Sequence, residues 1–197
     1  MSLLTQLLDH YSSDEIIDTE EDQRNPSFES RASGSMRLAA VLIPVTNSLS
    51  APKLILTRRA KHLSTHAGQI SFPGGMWEAE DEGLSATALR ESHEEIGLKP
   101  KDVEMIARFP TRPSRFGVEV TPFLGVIPDS VKLIACADET DEILPVPLEF
   151  FVEQKPERVD FRETKGVSYR LPSWRYQGEE IWGLTAMIIE DLLRPLS

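Results

Sequence analysis

The chain has 197 residues, 40% of them apolar, and a formal net charge of −11, which suits one domain around one core and argues against broad nucleic-acid binding. No apolar run approaches the roughly 18 residues of a membrane span, and no charged-then-apolar leader opens the chain. The lone Cys136 excludes an internal disulfide framework, so a reducing cytoplasm is the expected setting.

Residues 1–35 read as an N-terminal segment of their own. Leu3, Leu4, Leu7 and Leu8 fall on one face of a short helix. Ser12 to Ser35 is polar, with Asp14, Glu15, Asp18, Glu20, Glu21 and Asp22 close together, and a composition of that kind is expected to be mobile. The main domain is expected over 36–197. Its periodicity predicts strands near 38–46 and 53–59, a loop to Gly75 and a helix near 84–96. Further strands are predicted near 103–109, 118–127 and 131–136, the last placing Cys136 in the core. The stretch 143–151 reads as a short strand turning into a helix. Two β-rich segments near 157–161 and 166–171, a strand near 179–182 and a helix over 184–194 complete the chain. Mixed strands with two main helices imply an α/β/α sandwich built on a mixed sheet.

Charge is distributed unevenly. Between Ser30 and Trp77 there is no Asp or Glu, while Arg31, Arg37, Lys53, Arg58, Arg59 and Lys61 all fall there. Met105 to Val118 is likewise free of acids and carries Arg108, Arg112 and Arg115. Acids gather in the tail, in 78–95 and in 138–142. A local basic surface beside an acidic cluster suits a small polyphosphate ligand and a metal ion.

The sharpest motif is Arg90-Glu91-x-x-Glu94-Glu95-x-Gly97, which follows Gly74-Gly75. Glu91, Glu94 and Glu95 stand at i, i+3 and i+4, so all three project from one side of a helix. Like charges so close repel, and oxygen-only ligands fit a hard divalent cation such as Mg²⁺ or Mn²⁺. An acid-rich helix alone is more often a solvated face. The flanking glycines change the balance: Gly74 and Gly75 permit a close backbone approach, and Gly97 suits a left-handed helix cap.

Taken together, these residues resemble the Nudix box, G-x5-E-x7-R-E-U-x-E-E-x-G-U, where U is apolar. Three features depart from it. Glu82 takes the place of the first box glutamate with Asp81 as competitor, Gly75 lies one residue too far upstream, and Ser92 stands where an apolar residue is usual. Upstream, Thr57 to Gly75 resembles L-L-T-x-R-S-x3-R-x3-G-x3-F-P-G-G, the signature of the coenzyme A pyrophosphatase branch, with Ala60 for the serine and Ser64 for the second arginine. The likeness extends over roughly 36–196, through Val120-Thr121-Pro122-Phe123, Asp138 to Leu148 and Trp182 to Ala186.

The resemblance implies a Nudix-type sandwich and an Mg²⁺-dependent (or Mn²⁺-dependent) hydrolase that cleaves the diphosphate of coenzyme A or its thioesters. It implies Glu91 and Glu95 as principal metal ligands, with Glu94 sharing a second ion and a carbonyl of Gly74 or Gly75 completing the shell. Arg90 would orient a box glutamate. Glu139, with Glu142 behind it, is the favoured general base, and Glu94 is the box alternative. Substrate contacts are expected from Arg58, Arg59, Lys61, His66 and Phe72, with only one of the two adjacent arginines reaching the ligand because strand neighbours point to opposite faces. ADP-ribose, NADH or a dinucleotide polyphosphate is the alternative substrate, fed by Ser64. A non-catalytic ligand sensor is the third reading. The expected partner is a small nucleotide-type molecule, not a nucleic acid or a membrane, and oligomeric state is open between monomer and homodimer.

Overall fold

The computed structural model describes residues 1–12, 37–63, 65–114, 117–164 and 167–196. The acidic stretch expected to be mobile therefore lies outside the described residues, apart from Ser12, and so do Ser64 and Arg115. The elements in chain order are α1 (Leu3–Tyr11), β1 (Arg37–Thr46), β2 (Lys53–Arg59), β3 (Ile70–Ser71) and β4 (Gly74–Met76). Then come α2 (Leu84–Ile96), β5 (Glu104–Arg108), β6 (Arg112–Pro113), β7 (Val118–Ile127) and β8 (Thr140–Pro147). The chain closes with α3 (Leu148–Glu153), β9 (Arg158–Thr164), β10 (Val167–Tyr176), β11 (Glu179–Ile181) and α4 (Gly183–Leu192).

The main sheet runs β3-β2-β1-β7-β5, with β4 on β1, β6 on β7 and β8 on β2; a second sheet runs β11-β10-β9. Strands β1 and β7 pair in parallel from Arg37↔Val118 to Thr46↔Ile127, whereas the other pairs are antiparallel, so the sheet is mixed. Alternation along the strands divides the core in two. Ile43, Val45, Leu54, Leu56, Leu124 and Val126 face one cluster, which α1 and α4 cover. Leu38, Ala40, Leu42, Ile55, Phe123 and Ile127 face the other, which α2 covers. The result is the expected α/β/α sandwich.

Two features of this frame position the site. Strand β1 meets β2 only at Val45↔Leu54, and along its first half it pairs instead with β4, at Ala39↔Met76, Ala40↔Gly75 and Val41↔Gly74. The glycine turn is thereby carried under α2. The second feature is a correction. Residues 131–136 form no strand: two of their N–H groups go to the end of α2, Ile134 bonding to the Ile96 carbonyl at 2.9 Å and Cys136 to the Glu95 carbonyl at 2.9 Å. Those terminal helix carbonyls need partners, and the segment supplies them in place of a ladder. Ile134 is consequently 74% exposed and Cys136 half-buried rather than core.

Helix α1 forms as its leucine spacing predicts, capped by Ser2, whose hydroxyl accepts from the Thr5 N–H. Leu4, Leu7 and Tyr11 join the main core, and the Tyr11 hydroxyl donates to the Asp191 carbonyl of α4 at 2.9 Å. Leu7 is fully buried, so Leu7→Ala should cost about 2–5 kcal/mol in urea unfolding. A loss below about 0.5 kcal/mol would mean that α1 is an independent appendage.

Candidate active site

Helix α2 buries Leu84, Thr87, Ala88, Ser92, Glu95 and Ile96 along one stripe. Ser92, unusual at an apolar position, satisfies its hydroxyl on the Ala88 carbonyl at 2.6 Å. Glu95 is the exception on that stripe, a carboxylate only 2% exposed. Gly97 ends the helix in the left-handed region at φ 67°, its N–H bonded to the His93 carbonyl.

Beside Glu95 stand Glu91, one turn earlier, and Glu139 from the turn before β8. One carboxylate oxygen from each lies within 4.8 Å of the other two. Glu94 is not among them; it turns outward to Arg90. Gly75 lies flush against Glu91, and a Cβ there would sit 2.4 Å from the Glu91 carboxyl carbon. Gly74, at φ 151°, donates its N–H to Glu95 Oε2 at 3.2 Å, and a Cβ on it would strike the Ala40 carbonyl at 2.3 Å. The two glycines are thus required by the approach of β4 to both α2 and β1.

Arg90 ties the site together. Nε and Nη2 grip Asp81 at 2.8 and 3.0 Å, Nη1 reaches Glu91 and Glu94 at 3.0 Å each, and Nη2 also meets the Met76 carbonyl at 3.0 Å. All five guanidinium donors are engaged. Asp81, not the exposed Glu82, therefore holds the contested acidic position of the loop.

The upstream motif arrives from β2. A register shift falls between Arg58 and Arg59, which pair with Glu142 and Thr140 of β8. Arg58 is held by Glu142 at 2.5 Å and by Glu179 of β11 at 2.8 Å. Arg59 points instead to the acid cluster, with Nη1 at 3.4 Å from Glu95 Oε1. Ala60 is fully buried, and its N–H binds the Glu139 carbonyl at 2.9 Å, so the motif strand directly supports the acidic turn. His62 adds a contact to the Asp138 carbonyl at 3.0 Å. Lys61 and His66 are exposed on the loop, His66 bonded to Gln69 at 2.6 Å. Phe72 needs correcting: it is 2% exposed and packs in the core, so it presents no face to a ligand.

Electrostatics follow from burial. Burial raises the Glu95 carboxyl against the pull of Arg59 and the Gly74 N–H, with Glu91 and Glu139 adding to the rise, and pushes it up to about 8. Glu91 is also raised, first by burial and against Arg90. Burial pushes Asp81 up, but Arg90, the Glu78 N–H and the Thr87 hydroxyl together outweigh it and leave the carboxyl below its usual range. Three close carboxylates, two of them reluctant to ionise, form a site that fits a hard divalent cation.

The pH dependence follows from the same groups. An unfolded glutamate ionises near 4.5, whereas Glu95 in the fold holds its proton to about 8, so folding takes up a proton between those limits. Stability of the ion-free protein should therefore be greatest below about 4.5 as far as Glu95 is concerned and fall as pH rises to about 8. The expected loss between pH 5.5 and 8.5 in chelator is at least about 2 °C in Tm, the effect of about 1–2 kcal/mol in a domain this size. Saturating Mg²⁺ should recover it, and Glu95→Gln should flatten the profile.

Comparison with known proteins agrees with this geometry. Residues 36–165 match the NUDIX domain family. An "Uncharacterized Nudix hydrolase NudL" of Yersinia pestis (strain Pestoides F) is 36% identical over 166 residues, covering 84% of this chain and 82% of that protein. The same values hold for the NudL of Yersinia pseudotuberculosis serotype O:1b. Among solved structures, a C. elegans Ap4A hydrolase binary complex superposes with a TM-score of 0.50 at 14% identity, covering 60% of this chain and 85% of that one. A MutT/nudix family protein from Enterococcus faecalis also gives 0.50, at 17% identity, covering 98% of this chain and 74% of that one. At such identities the structural likeness speaks for the fold, and the sequence matches for the family: this chain is a member of the Nudix hydrolases.

Proposed function

We propose that this protein is an Mg²⁺-dependent (or Mn²⁺-dependent) pyrophosphohydrolase of coenzyme A or its thioesters, working in the cytoplasm. Water attacks one phosphorus of the diphosphate, the bridging P–O bond breaks, and 3′,5′-ADP and a phosphopantetheine leave as separate phosphomonoesters. The observation that carries the reading is the meeting of two motifs. The arginine of the Thr57–Gly75 signature, Arg59, lies against the Glu91, Glu95 and Glu139 cluster.

Glu91 and Glu95 would hold the principal ion, which neutralises phosphate charge and acidifies the attacking water. Glu139, suspended by the Ala60 N–H, takes the proton of that water. Arg90, with every donor committed, positions Glu91 and Glu94 and does not touch substrate. Glu94 is the exposed acid on the same side of the helix and suits a second ion shared with substrate. Lys61 and His66, exposed on the loop beside Arg59, meet substrate phosphates. A binding-only role is disfavoured, because a module without turnover has no need to keep mutually repelling carboxylates packed this closely.

Ser64, which replaces the second arginine of the signature, favours a second substrate set of ADP-ribose, NADH or dinucleotide polyphosphates; Ala60, which replaces the serine, is a further departure. Burial of Ala60 leaves that departure without bearing on the substrate, since a side chain so placed meets no ligand.

A hydrolysis panel of coenzyme A, acetyl-coenzyme A, ADP-ribose and NADH should show coenzyme A species ahead by at least about tenfold in kcat/KM, or about 1.4 kcal/mol. Glu95→Gln and Glu139→Gln should each lower kcat by about 100-fold or more, near 2.7 kcal/mol. An ADP-ribose preference would replace the substrate and keep the chemistry; unchanged turnover in both variants would refute the assigned roles. Gly75→Ala should weaken Mg²⁺ binding by at least about tenfold in calorimetry, because the new methyl occupies the space of the Glu91 carboxylate.

A further inference from the structure

We infer that Arg59 is the resident counter-cation of the ion-free site, and that a divalent ion entering the cluster displaces its side chain and frees it for a substrate phosphate. The inference rests on the metal-site reading above and concerns how that site is kept and armed. The two arginines at the cluster are held in opposite ways. Arg90 spends five donors on defined partners. Arg59 makes one long contact, 3.4 Å to Glu95 Oε1, while its Nε is buried and bonds nothing among the described residues. A buried guanidinium donor left unsatisfied is costly; Arg58 Nε is likewise unbonded, but Glu142 and Glu179 hold that side chain at 2.5 and 2.8 Å, whereas Arg59 has only its long contact. Charge keeps it there: Glu95 is 2% exposed, and Arg59 is its ion-pair partner among the described residues.

A divalent ion on Glu95 would cancel most of the cluster's negative charge and compete with Arg59 for the same carboxylate, so the attraction that holds the side chain is largely lost. The backbone cannot follow, since the Arg59 N–H and carbonyl are bonded to Gln69 and Gly68 at 3.0 Å each. Only the side chain moves, from a position where it is already a quarter exposed, on the strand that leads to Lys61 and His66. Metal and phosphate then strengthen each other's binding through one side chain, with a reciprocity that linkage requires.

The test is the sign of a change in metal affinity, read by calorimetric Mg²⁺ titration at pH 8.5, without substrate. Arg59→Gln should bind Mg²⁺ about fivefold tighter than wild type or more, while Arg59→Lys, which keeps the competing charge, stays within about twofold of wild type. The Tm of Arg59→Gln in chelator should fall relative to wild type, and the difference should close in saturating Mg²⁺. Unchanged or weaker binding by Arg59→Gln, with wild type binding normally, overturns the inference and makes Arg59 a fixed support of Glu95. Failure of wild type itself to bind Mg²⁺ would overturn the site reading as well.

A separate observation concerns the second sheet, and from it we infer that β9 pairs antiparallel with β9 of a second copy of this chain. Strand β9 is the sheet's outer edge, and Phe161 in its middle is 71% exposed. The β9–β10 ladder closes on Thr164↔Val167 across a two-residue connection. Alternation back from that pair directs the peptide groups of Arg162, Asp160 and Arg158 to β10, and those of Val159, Phe161 and Glu163 to the free edge. A two-fold pairing centred on Phe161 bonds those free groups, stacks Phe161 beside its copy and sets each Asp160 opposite an Arg162. Slipping by one step of the ladder sets Asp160 against Asp160 or Arg162 against Arg162, so the charges select a single register.

Sedimentation velocity over about 2–200 μM should show a concentration-dependent dimer. Asp160→Arg should abolish it, and the exchange Asp160→Arg with Arg162→Asp should restore it. A monomer throughout, a dimer indifferent to Asp160→Arg, or no rescue by the exchange would each overturn the pairing.

Discussion

A carboxylate at 2% exposure on the packed face of a helix must be met by a proton or by positive charge, and the rest of this site is arranged around Glu95 in that position. Glu91 and Glu139 sharpen the conflict by bringing further negative charge within 4.8 Å. Arg59 and the Gly74 N–H relieve part of it. Burial still prevails, and the carboxyl is pushed up to about 8. A divalent cation would relieve the conflict more fully than either group, which is why the cluster fits one.

The frame holds this arrangement through backbone rather than side-chain reach. Because β1 parts from β2 after Val45↔Leu54, β4 can lie on β1 and bring two side-chain-free residues against α2. The carbonyls ending α2 bind Ile134 and Cys136, which delivers the following turn, with Glu139, to the same place. The Ala60 N–H fixes that turn from the other side. Glu91 with Glu95, Glu139 and Arg59 therefore sit on three separate stretches of chain locked by main-chain bonds, which suits a cluster whose charges would otherwise drive it apart.

Much of this was legible beforehand because the relevant spacings are local. Glu91 and Glu95 share a helix face by the 3.6-residue period, Gly97 caps because glycine tolerates φ 67°, and adjacent strand residues Arg58 and Arg59 diverge by the period of two. The acidic loop position stays open between Glu82 and Asp81 in the sequence, because only geometry distinguishes Asp81, which Arg90 grips with two donors, from Glu82, which faces solvent. Residues 131–136 looked like a strand because their apolar content is strand-like, whereas the end of α2 claimed the N–H groups of Ile134 and Cys136. Phe72 looked like a pocket wall from its place beside the glycines, and the core absorbed it.

The sequence by itself carried the family resemblance in its motifs, and it determined the mixed sandwich, the helix that carries the glutamates and the glycines that approach them, since these elements depend on short-range periodicity or on a residue's own conformational limits. Only the tertiary structure decided that Glu139 joins Glu91 and Glu95 while Glu94 turns away, that Arg58 is spent on Glu142 and Glu179, and that Arg59 is left loosely on Glu95. Those outcomes depend on contacts between residues dozens of positions apart, where burial and the competition of several charges for one partner settle what no local pattern contains.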